Sequence, residues 1–266
     1  YKLVICISNL MKECSLEAKA QKVLNKLIGR GTSESLKEIE YILEHQEVIP
    51  KFEESKVQQG YASFLTRDDY DGISAQQEMT GIKPNFSGSE IKEKMKEYCR
   101  EGRFENILRL VEISDNKIPG PLINRINKRG MERKAFDFLT RFREKSKSNP
   151  DLEMVYRELE LYLNEGNIED ALKLESALGF ETPEVILRNA AEHYIENAMF
   201  GKLKELNEAK EYKIPAGVID RGLINFAGKK RFDYYAELEK TIKEIQPSYK
   251  PSKEANSVYL RKRFGA

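Results

Sequence analysis

Apolar residues along the chain recur three and four positions apart. Ile107, Leu108, Leu110 and Val111 form one such face, and Ala135, Phe136, Phe138, Leu139 and Phe142 form another. Leu159, Leu161 and Tyr162, then Ile168, Ala171, Leu172 and Leu174, carry the pattern across a break at Gly166. This is the period of amphipathic helices. Sustained alternation at period two is hard to find, so the pattern predicts an all-α chain. The predicted helices run about 10–14 residues and come in antiparallel pairs. Gly102, Gly130 and Gly166 fall inside pairs, where a tight turn favours a residue tolerant of left-handed backbone.

Prolines punctuate the intervals between pairs. Pro50, Pro84, Pro119, Pro150, Pro183 and Pro215 are separated by 34, 35, 31, 33 and 32 residues. Proline cannot continue a helix from within, so each one closes a unit. Six in series indicate an internal repeat. The flanking segments agree: Glu47-Val48-Ile49-Pro50, Asn116-Lys117-Ile118-Pro119 and Lys213-Ile214-Pro215 each place an apolar residue before proline. Around the inner turns, Arg100-Glu101-Gly102-Arg103-Phe104 matches Asn164-Glu165-Gly166-Asn167-Ile168. One helical pair cannot bury its apolar stripe alone. Stacked neighbours bury it jointly, which predicts an α-solenoid of about seven helix-pair repeats.

Two segments carry a resemblance to a known family. Gly81-Ile82-Lys83-Pro84-Asn85 and Cys99-Arg100-Glu101-Gly102 resemble the closing segment and inner turn of pentatricopeptide repeats, units of about 35 residues. The resemblance spans residues 18–249. Residues 1–17 read as an N-terminal helix or the remainder of an upstream repeat, and 250–266 as a C-terminal tail or capping helix. A tetratricopeptide array is the nearest rival, but its Trp-containing signature is not visible and Trp is absent. The resemblance implies a right-handed superhelix whose first helices line a concave face that binds single-stranded RNA. It also implies that each repeat reads one base. The reading residues lie near the start of the first helix and just after the closing proline.

Counting ten residues back from the inner-turn glycines puts Lys92, Gly120 and Tyr156 at the reading position. The second repeat lacks a matching glycine. Setting Tyr70 level with Phe104 gives Gln58 there, with Asn85 after the proline. Gly120 offers no side chain and Lys92 offers charge without base discrimination. RNA recognition is therefore expected through phosphates, with modest sequence preference. Tyr156 stands near the reading position, open to stacking on a base or to packing. Tyr98 and Tyr162 fall on apolar stripes and are expected in the core.

Charge sharpens this reading. Lys plus Arg number 45 against 44 Asp plus Glu, a net +1, which excludes a uniformly basic binder. The sum hides an asymmetry. Residues 120–149 carry nine bases and three acids, and residues 150–182 carry nine acids and two bases. Arg125, Lys128 and Arg129 share one face of a first helix, offset from Leu122, Ile123 and Ile126. They present either a phosphate contact or an ordinary solvated face. Lys229-Lys230-Arg231 and Arg261-Lys262-Arg263 read as solvation of a turn and an end.

Other chemistry has little to build on. Only His45 and His193 exist, and no phosphate-loop or dinucleotide glycine motif appears, so no enzyme, cofactor or metal is expected. Asp68, Asp69 and Asp71 cluster at an inner turn, where helix capping competes with metal binding. Cys6, Cys14 and Cys99 suit neither a disulfide framework nor a zinc site, and a reducing compartment fits them. No apolar run approaches the roughly 18 residues of a membrane span. Without an initial Met the chain reads as a fragment or a processed product.

Within the family the chain looks like the animal mitochondrial leucine-rich pentatricopeptide proteins. That likeness implies the mitochondrial matrix, messenger RNA stabilisation and translation, and a small RNA-binding partner protein or the mitochondrial ribosome as contacts. The competing expectation is a protein-interaction scaffold of the same helical class.

Overall fold

A computed structural model describes residues 17–45, 49–114 and 118–265. The readings on Cys6, Cys14, the segment 1–16 and residues 47–48 and 116–117 lie outside the described residues. Among the described residues the chain is all-helical, with no strand. It divides into two compact units, Tyr1–Pro119 and Gly120–Ala266.

The first unit holds α1 (residues 17–30), α2 (Ser33–His45), α3 (Glu54–Thr66), α4 (Tyr70–Thr80), α5 (Gly88–Glu101) and α6 (Phe104–Ile113). The second holds α7 (Gly120–Glu132), α8 (Phe136–Ser146), α9 (Leu152–Asn164), α10 (Ile168–Leu178) and α11 (Glu184–Glu196). It continues with α12 (Phe200–Lys210), α13 (Ala216–Gly228), α14 (Phe232–Ile245) and α15 (Lys253–Phe264). Odd-numbered helices from α1 to α13 each open a pair that the next even-numbered helix closes, and α15 follows the last pair. In the second unit α9, α11, α13 and α15 pack in succession, and α8, α10, α12 and α14 form a second layer. This is a repeat-like stack in which each pair buries its neighbour's stripe.

The buried residues follow the sequence pattern. Ile107, Leu108, Leu110, Phe138, Leu139, Phe142, Leu159, Ile168, Ala171 and Leu174 are buried, as are Tyr98, Tyr162 and Cys99. Leu161 departs from it, standing 48% exposed. Local chemistry sets several starts. Ser87 and Glu90 form a reciprocal capping box on α5, and Ser252 accepts the Ala255 N–H at 3.1 Å on α15.

The inner turns define the repeat more sharply than the prolines do. Asp68, Gly102, Lys134, Gly166, Ala198 and Lys230 all have left-handed backbone, with φ between 54° and 76°. Their spacings are 34, 32, 32, 32 and 32 residues. At each turn the next N–H reaches back five residues: Asp69 to Phe64, Arg103 to Tyr98, Ala135 to Gly130, Asn167 to Tyr162, Met199 to Tyr194 and Arg231 to Phe226, at 2.7–3.0 Å. This is the Schellman closure, which satisfies the orphan carbonyls of the first helix. Only two of the six turn residues are glycine.

Gly130 is accordingly not a turn residue, contrary to the sequence reading. It lies inside α7, four residues before the left-handed Lys134. At that position the other five turns carry Phe64, Tyr98, Tyr162, Tyr194 and Phe226. Gly130 substitutes for a ring because its partner helix supplies one. A Cβ there would stand 2.6 Å from Leu139 Cδ2 and 3.3 Å from Phe138 Cδ1. The second repeat reverses the arrangement. Phe64 carries the ring, and a Cβ on Gly72 would meet it at 2.2 Å. Large and small residues have exchanged sides across the same gap.

Candidate nucleic-acid interface

With the turn at Lys134, the ten-residue count that the resemblance implies falls elsewhere on α7. Ten residues before the left-handed residues lie Gln58, Lys92, Asn124, Tyr156, Arg188 and Asp220. Asn124 replaces Gly120, which is the exposed first residue of α7. Gln58 stands where the sequence alignment placed it. The same count from Gly31, at φ 55°, gives Gln21.

Four of these side chains are tied to the next linker. Gln58 Oε1 accepts the Asn85 N–H at 2.8 Å, and its Nε2 donates to the Lys83 carbonyl at 2.9 Å. Gln21 Oε1 accepts the Lys51 N–H at 3.0 Å, and its Nε2 donates to the Lys51 carbonyl. Asn124 Oδ1 accepts the Asp151 N–H at 3.3 Å. Lys51, Asn85 and Asp151 each follow a closing proline. Asp220 Oδ1 accepts from the Tyr249 hydroxyl at 2.6 Å and the Ser252 N–H at 3.0 Å. The structure thus brings Gln58 and Asn85 together, but through the Asn85 backbone. Both polar atoms of the Gln58 amide are committed there, while the Asn85 side chain is exposed.

The remaining candidates sit on separate first helices. Lys92 is exposed on α5, and Tyr156 is half-buried on α9. On α7, Arg125 and Lys128 are exposed and Arg129 is partly covered. Glu132, one turn further along, stands 3.1 Å from Arg129 and 3.9 Å from Lys128. Across on α9, burial raises the Glu158 carboxyl above its ordinary value. The Glu132 charge adds to this and Lys128 opposes it. The three-cation face therefore includes a carboxylate, at the i+3 and i+4 spacing along α7 that pairs charges on a helix.

Asp68, Asp69 and Asp71 point to different partners. Asp69 caps α4 by accepting the Gly72 N–H at 2.8 Å. Asp71 meets Arg109 at 3.0 Å. Asp68 accepts from Lys94 at 2.9 Å, Arg103 at 2.8 Å and the Tyr98 hydroxyl. Burial pushes the Asp68 carboxyl up, but the bonds from Tyr98, Lys94 and Arg103 outweigh it and hold the group below the usual carboxylate range. The Tyr70 hydroxyl donates to Tyr98 at 3.0 Å, and burial pushes the Tyr70 phenol up to about 12. The donors converge to fix one turn against the next pair. Tyr162 does likewise by donating to the Met131 carbonyl at 2.5 Å, and Tyr194 donates to the Leu163 carbonyl. Among the described residues no group of three or more His, Cys, Asp or Glu is placed to hold a metal ion.

No family model, no curated protein and no solved structure matches this chain. No helix among the described residues is long and apolar enough to cross a membrane.

Outside the dense charge run of residues 120–149, α1 also carries cations. Lys22, Lys26 and Arg30 stand there on successive turns, all exposed. Their spacing of four was visible in the sequence. The segment matched the repeat poorly and held no dense run of charge, so the signal was diluted.

Proposed function

We propose that the chain is a non-catalytic, RNA-associated helical-repeat protein, an α-solenoid of the pentatricopeptide type. The reading rests on one observation above all. Exposed cations on first helices, Lys92, Arg125 and Lys128, stand one to four residues from or at the positions that the family resemblance gives to RNA. Because Gln58 and Asn124 bond to backbone, those cations would hold phosphates and leave base identity largely unread. The resemblance alone carries the narrower placement: single-stranded mitochondrial messenger RNA, supported in stability or translation, with a small RNA-binding protein or the mitochondrial ribosome alongside.

A labelled oligouridylate titrated with the chain tests this by fluorescence anisotropy. Affinity should fall steeply as salt rises from about 50 to 200 mM. Replacing Arg125, Lys128 and Arg129 by Glu should weaken binding. Absence of binding at about 50 mM salt would refute the RNA reading.

A second reading, a protein-interaction scaffold, is favoured by a separate observation. Leu152, Leu161 and Val185 on α9 and α11 are 45%, 48% and 51% exposed. It predicts that Leu161→Asp or Val185→Asp abolishes partner capture while RNA is never retained.

A further inference from the structure

We infer that the groove between α1 and α3 is a binding site for the phosphodiester backbone of single-stranded RNA. The inference rests on the RNA reading and assigns it a place. The groove has a volume of about 750 Å³, within the span of roughly 300–1,000 Å³ typical of ligand sites. Lys22, Lys26 and Arg30 rise from α1 one turn apart, and Lys56 faces them from α3. Gly29 lies between: a Cβ there would be 3.5 Å from both Lys56 Cδ and Gln59 Oε1. That is ordinary van der Waals contact, so the α1 backbone lies within reach of both α3 side chains without requiring glycine there.

The charge in this groove is largely unopposed. Among the described residues no carboxylate pairs with Lys22, Lys26 or Lys56, and Arg30 meets only Glu38, at 4.0 Å. Glu53 lines the same groove and sets one negative charge against four positive; the Asn25 Oδ1 accepts the Glu53 N–H at 2.8 Å and its Nδ2 donates to the carboxylate at 3.4 Å. Like charges four residues apart repel along a helix. A polyanion laid across them removes that repulsion and releases its own counterions.

The groove between α11 and α13 shows the alternative. It holds about 340 Å³ and is lined by Glu192, Glu196 and Arg221, with Arg221 paired to Glu192. The same two-helix geometry there sets two acids against one base and leaves no excess of cations. Gln21 is bonded to Lys51 through both amide atoms, so the α1 groove offers ammonium and guanidinium groups for phosphate and few free amides for bases.

The test uses the whole chain with Lys22, Lys26 and Lys56 replaced by Gln, and fluorescein-labelled oligouridylate as probe. Three single-strand phosphate contacts contribute a salt slope of about −2, or roughly 20-fold in affinity between about 50 and 200 mM salt. The variant should bind at least about tenfold more weakly at low salt, with its slope reduced by about 2. A control with Lys173, Lys202 and Lys243 replaced by Gln should bind as the native chain does. If the native chain binds RNA and the groove variant keeps its affinity and slope, the groove assignment is overturned and the RNA reading stands. If the native chain binds no RNA, both fail. Photocrosslinking of 4-thiouridine RNA to the native chain needs no variant. Crosslinks within residues 18–30 and 53–59 support the site, and crosslinks confined elsewhere overturn it.

Discussion

Replacing Ala198 by glycine should stabilise the protein. Ala198 holds φ 55° at the turn between α11 and α12, and its neighbour Met199 closes the Schellman bond to Tyr194 at 2.7 Å. An L-residue in left-handed backbone costs about 1–2 kcal/mol relative to glycine. Glycine's extra freedom in the unfolded chain offsets roughly 0.4–1 kcal/mol of that. The net gain for Ala198→Gly is about 0.5–1 kcal/mol, or ~1–4 °C in Tm for a chain this long. The reverse change, Gly166→Ala, meets the same backbone at φ 76°. Its Cβ would stand 3.3 Å from Lys202 Cε, the far end of a flexible side chain, so backbone conformation dominates the expected loss of about 1 kcal/mol. Asp68 and Lys134 are poorer probes, because their side chains also make ion pairs. Urea denaturation of the whole chain, followed by far-ultraviolet circular dichroism, reads both changes. The sign decides the matter. If residue 198 were ordinary helix, glycine would destabilise it by about 1 kcal/mol. A loss of that size at Ala198→Gly would refute the 32-residue turn series and every alignment built on it.

Three further outcomes follow from packing and charge. Asp68→Asn should destabilise the first unit by about 2 kcal/mol at neutral pH, since it weakens bonds from two cations and a buried phenol. The Asp68 carboxyl is depressed on folding, so its contribution is full above the ordinary carboxylate pKa of about 3.9 and lost as pH falls through the lower folded value. The difference between native and variant stability, measured by denaturation across pH, should accordingly shrink below about pH 4. Gly130→Ala should cost about 1 kcal/mol despite its better helix propensity, and should couple to Leu139→Ala in a double-mutant cycle, because the new Cβ would stand 2.6 Å from Leu139. Asp220→Ala should loosen α15 by removing the acceptor for Tyr249 and Ser252, with faster tryptic cleavage after Lys253 as the readout.

The sequence by itself determined the helical class, the pairing of helices and the approximate repeat length. These depend on apolar spacing and on proline's missing N–H, properties that act within a few residues. It also placed Tyr98 and Tyr162 in the core, where they are buried. Tertiary structure decided which residue turns each pair. Asp68, Lys134, Ala198 and Lys230 take left-handed backbone without being glycine, because the Schellman bonds and the packed pair hold them there. Gly130 carried the expected letter for a different purpose, making room for Leu139 and Phe138 from the facing helix. The positions ten residues before each turn divide in the same way. Their spacing was legible, but whether an amide faces solvent or bonds the next linker depends on a segment 25–30 residues away. Charge followed that rule too. Lys128 and Arg129 were visible as cations, and Glu132 beside them was visible as an acid. Helical spacing alone sets that carboxylate within 4 Å of both, whereas only the folded geometry gathers Lys22, Lys26 and Lys56 from two helices around an open groove. Periodicity is a local property of the chain. The company a charged side chain keeps across helices is set only when those helices meet on folding.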